Sequence, residues 1–366
     1  MGQYISTSSS IKTARSNSSS PIDYEFNSPR FTVNDAEQIQ QGIEHLNEHG
    51  YAVFSNVLSP NEITFNIDLL WEHFESLLPP YFIKRDDAKT WDAAWPGAPE
   101  FGILSDDGFG HSQFMWSIRG NPNVKKIFTE IWKTPELLVS FDAAGCFRDW
   151  HINPSWKTVS GWYHCDQNPM EKSNRCSIQG FVSLTDNDES TGGLVVVPQS
   201  HKHFDELRSI ADKNNAGTNS INVPKTHSLL QQFQPRLVKC QAGDLVVFDS
   251  RCIHCNTPGL DTNSNIKKIK SSIKSQYPQL LRIVAYICMS PTAMVPSDKL
   301  DKFRETREEF VIDRNSCTHW PAELHVSGGP QHGIAKPLRL STYQQSLIFG
   351  TDIEFNDETT SQLTNM

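Results

Sequence analysis

Gly161-Trp-Tyr-His-Cys-Asp-Gln167 sets two metal-type donors, His164 and Asp166, two residues apart in a stretch rich in strand formers. On an extended strand residues i and i+2 share a face, so an imidazole nitrogen and a carboxylate oxygen converge on one point. A lone His-x-Asp arises by chance on many strands. A third donor far downstream, in Asp249-Ser-Arg-Cys-Ile-His254, follows the apolar run Leu245–Phe248 and so lies at the end of a separate strand. Two imidazoles and one carboxylate gathered on one side of a cation leave its opposite positions open.

Around that stretch the pattern is one of short strands from about residue 136 onward. Leu137–Phe141, Gly161–His164, Ser177–Leu184, Gly193–Val197, Leu245–Phe248 and Leu281–Cys288 are separated by turn residues, the spacing of a sandwich or jelly roll. The N-terminal part reads as helical. Ile39, Ile43 and Leu46 share a face over 34–49, and Tyr51–Leu58 is a strand. Ser59-Pro-Asn-Glu62 is a capping box that opens a helix with Ile63, Ile67, Leu70, Phe74 and Leu77 at helical period. Pro79-Pro80 closes it. Residues 85–115 read as a long ordered loop with short strands, and Asn123–Trp132 as a short helix. The fold class expected is mainly β with flanking helices. It comprises a disordered tail over 1–22, a single domain over 23–350 and a polar tail over 351–366. Within the domain, a helical part spans 34–132 and a jelly-roll core about 136–295. A basic insertion over 261–280 interrupts the strands; it reads as a solvated excursion, or as a lid or contact for an anionic surface.

The chain has 366 residues, 37% of them hydrophobic, and a formal net charge of -9. That is enough for a sizeable core, and no domain-wide basic bias points to nucleic acid. There is no apolar run long enough for a transmembrane helix and no secretory h-region. The eight cysteines are scattered, and a chain this long needs no disulfide framework, so reduced thiols and a cytoplasmic location are expected. Cys252-Ile-His-Cys255 lacks the second pair that a structural zinc site requires. Met1-Gly-Gln-Tyr-Ile-Ser6 fits the N-myristoylation pattern at Gly2, and also fits chance in a Ser-rich tail. One acyl chain would give weak, reversible membrane association.

Iron(II) accepts neutral imidazole together with an ionised carboxylate, and the set His164, Asp166, His254 is that of non-haem Fe(II) oxygenases. Arg282 opens the strand after the insertion and offers a fork for the carboxylate of an α-keto acid. Arg251 is its rival, but at odd spacing from His254 it should point the other way. Asn256, two residues past His254, and Gln179 are further candidates for contact with the co-substrate. Ordinary strand polarity explains both as well.

In these segments the chain resembles the phytanoyl-CoA dioxygenase family of Fe(II)/2-oxoglutarate-dependent oxygenases. The resemblance rests on His164-Cys-Asp-Gln-Asn-Pro169, Ile178-Gln-Gly-Phe-Val-Ser-Leu-Thr-Asp186, Gly192-Gly-Leu-Val-Val-Val-Pro-Gln-Ser-His201, Gly243–His254 and Arg282. It implies a double-stranded β-helix, iron held by His164, Asp166 and His254, and 2-oxoglutarate held by Arg282. The reaction implied is hydroxylation of a small organic or lipid-derived substrate by dioxygen, with release of succinate and carbon dioxide. The gap from His254 to Arg282 is longer than the family's usual one, because of the insertion. Asp166 in place of Ala or Gly speaks against a halogenase. A zinc hydrolase, which also uses two histidines and a carboxylate, and a catalytically silent, membrane-tethered binding protein are the alternatives. His201 and His203, near Pro198, could serve as ligands, but His201 matches a turn of that family and reads as structural or as support for the ligands, and His111, Gln113, Trp116 and Arg119 read as packing of the N-terminal segment. Of Trp162 and Tyr163, one should enter the core and the other edge the pocket.

Overall fold

The computed structural model describes residues 21–211, 219–261, 279–332, 337–356, 358–359 and 363–365. Gly2, with its acylation motif, lies outside the described residues, as does the basic insertion apart from Asp261, Gln279 and Leu280. In chain order the first part forms β1 (Arg30–Thr32), α1 (Ala36–His49), β2 (Tyr51–Ser55), α2 (Pro60–Ser76), β3 (Ile103–Leu104), α3 (Gln113–Arg119) and α4 (Pro122–Trp132). The second part forms β4 (Leu137–Val139), β5 (Ala144–Phe147), β6 (His164–Cys165), β7 (Ile178–Ser183), β8 (Gly192–Val196), β9 (Ile221–Asn222), β10 (Arg236–Leu237), β11 (Leu245–Asp249), β12 (His254–Pro258) and β13 (Arg282–Pro291). Two helices, Leu300–Ile312 and Thr342–Phe349, follow.

Local chemistry sets the helix ends. The Asp35 side chain caps α1 by accepting from the Glu37 and Gln38 N–H groups, and Gly50, at φ 86°, ends it in the left-handed conformation. The capping box at Ser59 and Glu62 forms as the sequence implies, with Pro60 in the first turn of α2. α1 buries Ile39, Ile43 and Leu46. Gly42 lets that face approach β2 so closely that a Cβ there would stand 2.4 Å from the Phe54 ring. The expected loop over 85–115 contains the helix turns Ala88–Asp92 and Phe109–His111, and α3 begins inside it. The Ser112 hydroxyl caps α3 by accepting from the Met115 N–H.

The larger sheet runs β1-β2-β11-β7-β13-β5-β3, with β4 paired to β13; the smaller runs β10-β8-β12-β6-β9. All pairs but β1–β2 are antiparallel, and the two sheets face each other without closing into a barrel. Three apolar clusters follow from this layering. Ile178, Val182, Ile283, Ala285 and Ile287 face the helices with Trp116, Phe128 and Leu347. Phe181, Val284, Val246, Phe248, Phe147 and Val196 face inward between the sheets. Tyr163, Cys165, Val195, Val197 and Cys255 cover the outer side of the smaller sheet with Phe204 and Leu207. The alternation along β7 and β13 is therefore the period-2 pattern of a two-sided strand. It aims Gln179, Arg282 and Tyr286 into the space between the sheets.

One buried carboxylate holds the turn from β11 to β12. Asp249 accepts from Arg251 Nε and Nη2 at 2.9 and 2.8 Å, from Arg175 Nε at 2.7 Å and from the Arg251 N–H at 3.0 Å. Arg251 thus points away from the interior, as its odd spacing requires. Ser250 in the same turn accepts the Asp166 N–H at 3.0 Å, which joins the loops of two candidate donors. Burial alone would raise the Asp249 pKa; the bonds and charges of Arg251 and Arg175 hold it below its ordinary value. A depressed carboxyl contributes stability that is present above the ordinary aspartate value of about 3.9 and is lost as pH falls through the folded value. Asp249→Asn is expected to destabilise the fold by about 3 kcal/mol near neutrality. In chemical denaturation at several pH values, that difference should shrink below about pH 4; a difference independent of pH would remove this role for Asp249.

Candidate metal centre

β12 pairs with β6 so that His254 stands directly opposite His164. Asp166 follows β6 by one residue, and its oxygens lie 3.4 Å from His164 Nε2 and 3.2 Å from His254 Nε2. The three donor atoms lie within 4.8 Å of one another. Among the described residues this is the one such cluster of His, Cys, Asp and Glu. A cation with six ligands at about 2.1 Å spaces adjacent donors by about 3 Å, so the separations fit a shared ion.

The imidazoles are oriented for it. His164 Nδ1 lies 3.1 Å from the Trp162 carbonyl and His254 Nδ1 lies 2.9 Å from the Cys252 carbonyl. A ring nitrogen that meets a carbonyl oxygen must carry the proton, so in the neutral ring the Nε2 lone pair faces Asp166. Gln179 Nε2 donates to Asp166 Oδ2 at 2.8 Å. Gln179 therefore touches the carboxylate donor, where the sequence suggested the co-substrate. Trp162 stacks on His164 with ring centroids 4.7 Å apart, while Tyr163 is buried on the outer side of the sheet. Burial lowers the pKa of His254, with the nearby His164 acting in the same direction. For His164 burial acts in that direction too, but the Asp166 carboxylate outweighs it and raises the pKa. Asp166 is held well below its usual range; burial opposes this, and the charges of His164, His319 and His254 overcome it.

The site opens into a cavity of about 300 Å³ between the sheets, whose walls include Phe147, Phe181, Leu194, Phe248 and Val284. Arg282 lies at one end and is 2% exposed. Its guanidinium stacks 3.7 Å from the centre of the Phe147 ring, and its Nη2 donates to Asn256 Oδ1 at 2.8 Å. Its Nε has no hydrogen-bond partner, and it forms no ion pair among the described residues. Burial pulls its pKa down to about 10. Gly193 makes room for it, since a Cβ there would stand 3.2 Å from Arg282 Nη1. A buried cation without a counter-ion costs several kcal/mol, and a carboxylate in the cavity removes that cost. Arg282 and Asn256, each offered by the sequence as a contact for the co-substrate, bond to each other and leave the rest of the fork free.

Several other sequence candidates lie elsewhere. His201 Nε2 bonds the Asn47 carbonyl at 2.9 Å, and His203 pairs with Glu206 near the surface. His111 bonds the Asn315 carbonyl at 2.8 Å, and the Arg119 guanidinium binds the carbonyls of Gly110 and Asp142. His111 and Gln113 line a separate, smaller cavity of about 80 Å³ beside α2. Cys252 and Cys255 are buried and unbridged. Asp142, Tyr286, Thr318 and His319 do line the metal-site cavity, and the sequence singled out none of them. Tyr286 was legible, four residues beyond Arg282 on one strand face. Asp142 and His319 sit on connections and carry no periodic signal.

The phytanoyl-CoA dioxygenase family model matches residues 46–258, more than half of the chain, and takes in His164, Asp166 and His254. Ava biosynthesis cluster protein O of Aspergillus versicolor is 25% identical over 293 residues, which cover 77% of this chain and 87% of that protein. A Dictyostelium discoideum protein bearing the phytanoyl-CoA dioxygenase name is 28% identical over 198 residues, 44% of this chain and 56% of that one. In fold, the chain is similar to the crystal structure of GlcNAc Inducible Gene 2 of Candida albicans. The TM-score is 0.55 at 12% identity, covering 91% of this chain and 82% of that one.

Asp166→Ala is expected to abolish Mn(II) binding in calorimetric titration. Gln179→Leu is expected to weaken it about tenfold or more, by freeing a ligand carboxylate. Unchanged binding in Asp166→Ala would remove the site.

Proposed function

The chain belongs to the phytanoyl-CoA dioxygenase family, and from that premise we propose that it uses iron(II) and 2-oxoglutarate to hydroxylate a small organic substrate. The observation that carries this reading is Arg282, a buried guanidinium without an anion, in the same cavity as a two-histidine, one-carboxylate donor set. His164, Asp166 and His254 would hold the iron, and Arg282 with Asn256 would hold the distal carboxylate of 2-oxoglutarate. Bound iron supplies the dioxygen chemistry: oxidative decarboxylation to succinate and carbon dioxide, with the second oxygen atom passing to the substrate.

The protein's own part is binding and orientation. Arg282 offers its two outer nitrogens as a planar fork, and the face of Phe147 fixes the plane of that fork. The Trp162 and Cys252 carbonyls keep both imidazoles turned with Nε2 toward the point where the ion would sit. Gln179 fixes Asp166 Oδ2 and leaves Oδ1 on the His164 side. The apolar walls exclude water from the face where dioxygen and substrate meet. A hydrolytic zinc site gives a buried, anion-seeking guanidinium no task, and a silent binding protein has no use for a complete donor set.

With Fe(II) and 2-oxoglutarate alone the protein is expected to consume oxygen and form succinate slowly. His164→Ala is expected to stop both. Arg282→Leu is expected to raise the KM for 2-oxoglutarate about tenfold or more, as a lost charge-assisted pair does, with Mn(II) affinity unchanged. No succinate from the wild type, with zinc the metal it binds and hydrolysis its activity, would contradict the reading.

A further inference from the structure

The cavity has a second polar end. β13 rises by about 3.3 Å per residue, so the backbone of Tyr286, four residues from Arg282, stands about 13 Å along the strand from it, while its phenol leans back over Gly145 toward Phe147. A five-carbon diacid, with four C–C bonds of about 1.5 Å, spans less than half of that distance. The level of the Tyr286 backbone therefore lies beyond the reach of a 2-oxoglutarate held at Arg282. The Tyr286 N–H bonds the Ala143 carbonyl at 3.0 Å, which brings Asp142 beside it.

Asp142 is the charged group at this end. Asp142 lines the cavity with Tyr286, Thr318 and His319. The Ser140 hydroxyl lies near enough to favour its charged form. Ser140 Oγ itself accepts the Cys288 N–H at 2.9 Å, so its one proton is free to turn toward the carboxylate. The neighbouring Arg119 guanidinium is spent on two backbone carbonyls, Gly110 and Asp142, and Asp142 forms no ion pair among the described residues. Burial pushes its pKa up to about 6, and the nearby His319, Ser140 and Arg119 oppose that rise. The Tyr286 phenol reaches over Gly145, where a Cβ would stand 2.7 Å from its hydroxyl. His319 is anchored through Nε2, 3.2 Å from the Asp166 carbonyl. Besides these polar groups and the donor set, the cavity is lined by the aromatic and aliphatic side chains Phe181, Leu194, Phe248 and Val284.

We propose that the Asp142 end is the substrate subsite, and that it takes a small, mainly apolar molecule by a hydrogen-bond donor, a hydroxyl or an ammonium group. This rests on the reading of the metal centre given above. A substrate held there lays its hydrocarbon part along Phe181 and Val284, across from the donor face of His164, Asp166 and His254. An anionic group meets the Asp142 carboxylate and is turned away, so a polyanionic headgroup stays outside the cavity.

The test uses one carbon skeleton with three headgroups: cyclohexylmethanol, cyclohexylmethylamine and cyclohexanecarboxylate. Each is equilibrated by dialysis against the full chain loaded with Mn(II) and 2-oxoglutarate, which permits no turnover. The alcohol and the amine are expected to bind, and the carboxylate about tenfold more weakly or not at all. Asp142→Leu should weaken both donors about tenfold, and Asp142→Asn should weaken the amine more than the alcohol and admit the carboxylate. Retention of 2-oxoglutarate should stay within about twofold of wild type in both variants, which shows that they are folded and that the Arg282 end is intact. Carboxylate binding as tight as the donors, no binding of any of the three, or donor affinities unmoved in both variants would overturn the subsite. If the wild type fails to retain 2-oxoglutarate with Mn(II), the reading of the metal centre falls and this one with it. If it is retained while the probes fail, only the subsite falls.

Discussion

The antiparallel pairing of β6 with β12 is the constraint on which the site depends. It sets His164 opposite His254, and directly opposed residues in a ladder stand only about 4.5–5.5 Å apart. Two imidazoles at that spacing, each turned by a backbone carbonyl, leave one position where both Nε2 lone pairs point. Asp166 reaches the same position from the end of the strand. A one-residue slip would send either histidine to the outer face with Cys165 and Cys255. The apolar cluster on that outer face fixes the register as much as the ladder does.

Two buried charges show how the chain separates structure from chemistry. Asp249 is enclosed by Arg251 and Arg175, and its lone pairs are satisfied by side chains and backbone. It locks the turn before His254. Arg282 is as deeply buried but has only Asn256 and the face of Phe147. The first charge is complete within the fold. On the function proposed above, the second is completed by a ligand, and the protein carries its desolvation until that ligand arrives. Asp142, a carboxylate like Asp249, forms no ion pair among the described residues, whereas Asp249 holds two guanidinium groups.

Much of this was legible in the sequence because it rests on period and spacing. The i, i+2 relation pointed to His164 and Asp166, the odd spacing turned Arg251 away, and the apolar runs placed strands near β7, β11 and β13. The capping box at Ser59 defined α2 to the residue at its start. What escaped depends on contacts between distant segments. α3 has only seven residues and a weak pattern, so the stretch around it read as a loop. Strand β5 is the apolar Ala-Gly-Cys-Phe, too short to show alternation, yet it carries Phe147 beneath Arg282. Asp142 and His319 reach the cavity only because β13 pairs with β4 and β5, and because the segment after residue 316 folds back over Asp166. Gln179 was found by its strand position, but its bond to Asp166 was a fact of tertiary packing.

The central claim is that this cavity joins iron, 2-oxoglutarate and dioxygen in one reaction. The most direct measurement is mass analysis of succinate formed by the Fe(II)-loaded protein under oxygen-18 gas in ordinary water. The account predicts succinate that carries one labelled oxygen atom, and no labelled succinate from Asp166→Ala. Succinate without the label, or equal labelling from Asp166→Ala, would contradict it.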